Sequence, residues 1–132
     1  MATILQDNRH TEETRALIEE GRGMSVGSLA DVRAGRAELR QAIHDRMADH
    51  DLDVVVSPAA PGPAPAGIDD TGDPIMNLPW THAGVPTVTL PASTTAEGLP
   101  VRLQCAARFG DDEWLLRWAR ELQAALEPGS VA

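Results

Sequence analysis

Several short stretches of this 132-residue chain place reactive residue types at spacings that chemistry can use. Gly23-Met24-Ser25-Val26-Gly27 fits the G-x-S-x-G pattern, in which a serine stands on a strained turn between strand and helix. The residues before it, Arg15 to Gly21, read instead as a helix ending in glycine, and the chain is too short for the rest of such a hydrolase sheet. A turn between two helices is the preferred reading, with a small esterase using Ser25 as the remote one. Asp49-His50-Asp51 falls at a helix end, where adjacent side chains point apart and cannot share a metal. Asp69-Asp70-Thr71-Gly72-Asp73 looks like the opening of a calcium loop, but Trp80 stands at the twelfth position, where a glutamate is required. A hydrated turn is the better account. His10, His44 and His82 have no ligand-like spacing to one another or to Cys105, so no metal and no cofactor is expected.

The strongest site candidate is Asn77–Pro86, a predicted loop that carries an amide, an indole, a hydroxyl and an imidazole into a strand. Such a set can orient a small polar substrate against an aromatic wall. Asn77, Trp80 and Thr81 are the candidate substrate-binding residues, and no catalytic residue is assigned. The competing structural roles are a turn cap for Asn77 and a core position for Trp80.

The elements that must hold this stretch can be read from periodicity. Thr11–Glu20 suits a short helix, capped by Thr11 and stopped by Gly21. Ser28-Leu29-Ala30-Asp31 fits a variant capping box for a longer helix, with Leu29, Val32, Leu39, Ile43 and Met47 on one face. Arg33, Arg36, Arg40 and Arg46 then read as a solvated face. Leu52-Asp53-Val54-Val55-Val56 is a largely apolar run of strand length, stopped by Ser57-Pro58, which suggests an interior strand in a partly parallel sheet. Residues 57–86 form a long Pro-rich loop, a length that is usually functional or disordered in a compact domain.

Thr87–Leu90 and Val101–Ala107 read as strands. In the second, Val101, Leu103, Cys105 and Ala107 form a buried face, and Arg102, Gln104 and Ala106 a partly polar one. Asp111 should cap a last helix with a buried stripe of Leu115, Trp118, Ala119, Leu122 and Leu126, ended by Pro128-Gly129. The order describes an α/β fold: a small mixed sheet of about three strands flanked by helices, within one domain over 1–132.

The wording Asn77-Leu78-Pro79-Trp80-Thr81 through Gly84-Val85-Pro86, then Gly98-Leu99-Pro100-Val101-Arg102-Leu103-Gln104, then Asp112-Glu113-Trp114-Leu115-Leu116 resembles the C-terminal segment of the amidase signature family. The likeness runs from about Thr11 to Leu126 and rests on several motifs in order. It implies amide C–N bond hydrolysis by a nucleophilic serine, a second serine in a cis peptide and a lysine base. It also places Asn77, Trp80 and Thr81 beside the substrate groove. Arg102 stands where the family usually has glycine. The family's triad lies upstream of the matched segment, and these residues contain no lysine: all 11 basic residues are arginine, which stays protonated and cannot serve as the base. The chain by itself is therefore expected to be inactive, contributing sheet and groove wall. The alternative is a non-catalytic interaction or oligomerisation module derived from an amidase.

Composition sets the remaining bounds. A net charge of -9 opposes nucleic acid and anionic membrane surfaces, and no run is apolar enough to span a bilayer. With no signal-like N-terminus and a single cysteine, Cys105, expected in the core, a cytoplasmic location is expected. So small a sheet should leave edges and apolar surface uncovered. The expected partners are a second copy of the chain or a polypeptide carrying the catalytic core.

Overall fold

The computed structural model describes residues 12–67 and 70–126. Its contacts divide the chain into two compact units, Met1–Gly35 and Arg36–Ala132. The first holds helix α1 (Glu12–Gly23) and the start of helix α2 (Val26–Asp49). Gly21 does not stop α1, which continues to Gly23 and is tied by an Arg22–Glu19 ion pair of 2.6 Å. The cap of α2 is Ser25 rather than Ser28, because the Ser28 N–H donates to Ser25 Oγ at 3.0 Å. A helix precedes Ser25 and its hydroxyl is engaged with Ser28 Oγ at 2.8 Å, so the turn reading holds and the strand-borne nucleophile does not. The predicted cap Thr11 and terminator Pro128-Gly129 lie outside the described residues.

In the second unit, α2 ends without glycine. Asp51 takes φ 52°, and the Leu52 N–H reaches back to Met47 O at 2.8 Å, closing the last turn. The apolar stripe of α2 is buried only toward this end: Met47 is buried, Leu39 and Ile43 are half-buried, and Leu29 and Val32 are exposed.

Three strands follow: β1 (Val55–Pro58), β2 (Thr87–Thr94) and β3 (Pro100–Ala106). The α/β class and strand number are as expected, but the sheet is antiparallel throughout, in the order β1-β3-β2. The predicted interior strand is thus a four-residue edge strand. Its apolar run reflects Val54 packing on the core and Val55 lining a groove, not enclosure between neighbours, and Val56 is exposed.

β2 runs four residues beyond its predicted end at Leu90. An edge strand tolerates Pro91, and a register irregularity between Pro91 and Ser93 absorbs the lost ladder bond. A turn over 95–99 joins β2 to β3, with Gly98 at φ 83° and the Leu99 N–H on Thr95 Oγ1 at 3.2 Å.

One sheet face carries Leu90, Cys105 and Ala107 against Leu115 and Ala119 of helix α4 (Asp112–Leu126). Val54, Val88, Leu103, Leu122 and Leu126 complete this core. Trp118, predicted in the buried stripe, is 39% exposed, because the stripe of buried Leu115 and Ala119 with partly buried Leu122 and Leu126 turns it to the flank. The opposite sheet face is no solvent face either: Gln104 and Ala106 are buried.

Candidate functional site

The segment predicted as a 57–86 loop is not all loop. Pro74–Met76 is a 3₁₀ turn and Leu78–Ala83 a short helix, α3. Local chemistry explains both. The Asp73 carboxylate accepts from the Ile75 N–H at 2.9 Å, and Pro74 and Pro79 preset the backbone at the two starts. Upstream, Asp70 accepts from the Gly72 N–H at 2.7 Å, a backbone turn in the predicted hydrated stretch. Asp69 lies outside the described residues.

Helix α3 stops at Gly84, whose φ of 66° is left-handed and whose N–H donates to Trp80 O at 2.8 Å. The left-handed backbone favours glycine here, and a Cβ would also displace the guanidinium of Arg36, the movable end of an exposed side chain.

Of the arginines read as solvated, Arg36 is exposed, whereas Arg40 is half-buried and structural. Arg40 Nε donates to Ala83 O at 2.8 Å, at the carbonyl end of α3, and its guanidinium lies 3.9 Å from the Phe109 ring centroid. Arg36 sits against Gly84. His44 Nε2 accepts from the Phe109 N–H at 2.9 Å, which fixes the neutral ring's proton on Nδ1.

Trp80 and Thr81 lie on this short helix and Asn77 just before it, but the three serve different surroundings. Trp80 is half-buried and lines an apolar groove of about 290 Å³ with Ala42, Ile43, Met47, Leu52 and Val55, rimmed by Arg46 and His50. Asn77 precedes the first turn of α3, but its side chain makes no cap bond to it. Its Oδ1 accepts from Gln104 Nε2 at 2.6 Å, while its Nδ2 faces Ala59 O at 3.5 Å. Thr81, exposed, follows one turn later, its N–H donating to Asn77 O at 3.0 Å.

Gln104 escaped the sequence reading, which left it on a partly polar strand face. It is 3% exposed, and its Oε1 accepts from Ser57 Oγ at 3.5 Å. The available signal was a long amide in the centre of a strand, where burial obliges it to find partners. Ala59 in turn lines a larger hollow of about 650 Å³, walled by residues 58–65, 70–73 and 100–102. Arg102 is exposed on that wall, where its length meets no packing constraint.

Comparison with known proteins agrees with this architecture. A family model described as Amidase matches residues 1–116. A glutamyl-tRNA(Gln) amidotransferase chain of Oceanobacillus iheyensis is 33% identical over 84 residues, covering 58% of this chain and 17% of that protein. The putative amidase AmiD of Mycobacterium tuberculosis is 27% identical over 119 residues, covering 83% of this chain and 25% of that protein. A crystal structure of an amidase superposes with a TM-score of 0.76 at 27% identity, over 89% of this chain and 29% of that one. A 6-aminohexanoate cyclic dimer hydrolase shares the fold, with a TM-score of 0.64 at 16% identity over 93% of this chain and 30% of that one. This chain thus spans about a quarter or less of the length of these curated relatives. With the family model matched over most of its residues and the fold superposing on a solved amidase, the chain belongs to the amidase family.

Proposed function

We propose that this chain is a segment of an amide C–N bond hydrolase, to which it contributes sheet and one wall of the substrate groove. In this reading a serine outside these residues attacks the amide carbonyl, and a serine–lysine relay carries its proton to the leaving amine. Water then releases the acyl group by the same path. The observation that carries the proposal is the match over residues 1–116 to the amidase family in a sequence without a lysine. The base must be supplied by polypeptide beyond these residues, either continuous with them or a partner chain. In this reading Asn77 and Thr81 offer the substrate polar groups, and Trp80 gives it the aromatic side of the apolar groove that it lines. A cytoplasmic location belongs to the same proposal.

The test is reconstitution. The purified 132-residue chain is assayed on benzamide alone and mixed with a polypeptide bearing the Ser/Ser/Lys core. The expected result is no turnover alone and hydrolysis in the mixture above that of the core by itself. Turnover by the chain alone, in proportion to its concentration, would overturn the proposal.

A further inference from the structure

The hollow of about 650 Å³ beside Ala59 is walled largely by proline and alanine. Proline has no N–H, so that wall is poor in donors. Of the side chains around the hollow only Thr71 and Arg102 can donate a hydrogen bond, and only Arg102 is positively charged. Arg102 starts from a fixed place. It lies in the central strand, its carbonyl accepts the Ala59 N–H at 3.2 Å, and Pro91 of β2 stands opposite it. Arg22, Arg40 and Arg108 each find a protein acceptor, whereas among the described residues the Arg102 guanidinium makes no hydrogen bond and no ion pair. Asp70 and Asp73 also line the hollow without pairing with it. Each commits an oxygen to its own turn, Asp70 to the Gly72 N–H at 2.7 Å and Asp73 to the Ile75 N–H at 2.9 Å.

The hollow adjoins the candidate residue Asn77. Arg102 and Gln104 are two residues apart on β3 and share a sheet face, and Gln104 Nε2 donates to Asn77 Oδ1 at 2.6 Å. Ala59, whose carbonyl the Asn77 amide faces, is part of the hollow's wall.

We propose that Arg102 is a specificity-determining residue, its guanidinium binding the carboxylate of an amide substrate that extends into this hollow. The unpaired guanidinium stands on the geometry of this chain, and its use on substrate rests on the groove-wall reading above. A guanidinium grips a carboxylate through paired, parallel N–H bonds, which an uncharged amide cannot reproduce. The favoured substrates are therefore amides with a carboxylate at the end away from the scissile bond.

In the reconstituted enzyme the amides to compare are benzamide, para-carbamoylbenzoate and para-aminomethylbenzamide, which differ in charge opposite the amide. Wild type should favour para-carbamoylbenzoate over benzamide by about tenfold in kcat/KM, as one charge-assisted contact predicts. Arg102→Gln should abolish that preference, Arg102→Lys should keep part of it, and Arg102→Glu should pass it to para-aminomethylbenzamide. A preference that survives Arg102→Gln overturns the inference, as does a fall shared equally by every substrate, the mark of a residue that serves only the fold. A wild-type preference for para-aminomethylbenzamide also overturns it, because Asp70 and Asp73 would then set the charge of the hollow.

The isolated chain gives an independent readout. Its nitrogen-15-labelled Arg102 Nε–H resonance should shift on titration with para-carbamoylbenzoate and not with benzamide; a resonance that stays in place overturns the inference. A wild-type mixture inactive on every amide would instead defeat the groove-wall reading and the substrate role with it, while the resonance still decides whether Arg102 takes the carboxylate.

Discussion

At the scale of single residues, burial and backbone angle give opposite fates to side chains that look alike in the sequence. Cys105 is fully buried in the α4-facing core, and that burial pushes its thiol above the ordinary value of 9.0. Because the folded thiol holds its proton longer than the unfolded one, its contribution is complete below the ordinary thiol value. It drains away as pH rises through the folded value. Denaturation curves should therefore show an alkaline loss of stability that Cys105→Ala lacks. Maleimide should label the wild type slowly until denaturant is added.

Glycines divide the same way. Gly84→Ala should cost about 1–2 kcal/mol in thermal unfolding, since it forces a left-handed residue and displaces Arg36. Gly21→Ala, in helix α1 with open space around it, should stabilise that helix by about 0.5–1 kcal/mol, read as helicity by circular dichroism. Cys105 could be assigned to the core from its alternation with Leu103 and Ala107. The roles of Arg40 and Gln104 could not, because each depends on partners far along the chain.

At the scale of elements, periodicity told which face of a helix is apolar but not how much of that face finds a partner. α4 shows the difference. Leu115 is buried against the sheet, whereas its neighbour Trp114 is exposed, with Arg117 stacked 5.3 Å from its ring. Leu115→Ala should lower stability by about 2–4 kcal/mol in urea titrations, and Trp114→Ala by well under about 1 kcal/mol. The strand near Val54 was legible as a strand but not as an edge, since an apolar run looks the same whether enclosed by neighbours or by a helix and a groove. Similarly, α3 was hidden by the prolines around it. Pro79 breaks helices in their interior, but near the first turn it costs no hydrogen bond, and Gly84 supplies the stop.

Across the whole molecule, much of the apolar surface has no cover among the described residues. Val56, Ile75, Leu78, Leu116 and Trp114 are exposed in one unit, and Leu17, Val26, Leu29 and Val32 in the other. The two outer strands, β1 and β2, each pair on one side only. Surface of this kind is usually covered by another polypeptide. Under the proposed function the cover is the catalytic core. Light scattering should then find the isolated chain associating with itself or binding an apolar dye, and addition of the core should suppress both.

The order of the strands carries one further consequence. β3 pairs on both sides at once, Cys105 lying opposite Val56 and Val88 alike. Extra residues placed in the 95–99 turn would merely lengthen an exposed link. A single residue inserted between Arg102 and Gln104 would swing the glutamine amide into the greasy layer beneath α4 and the thiol toward Asn77, trading the two sides of the sheet in one step.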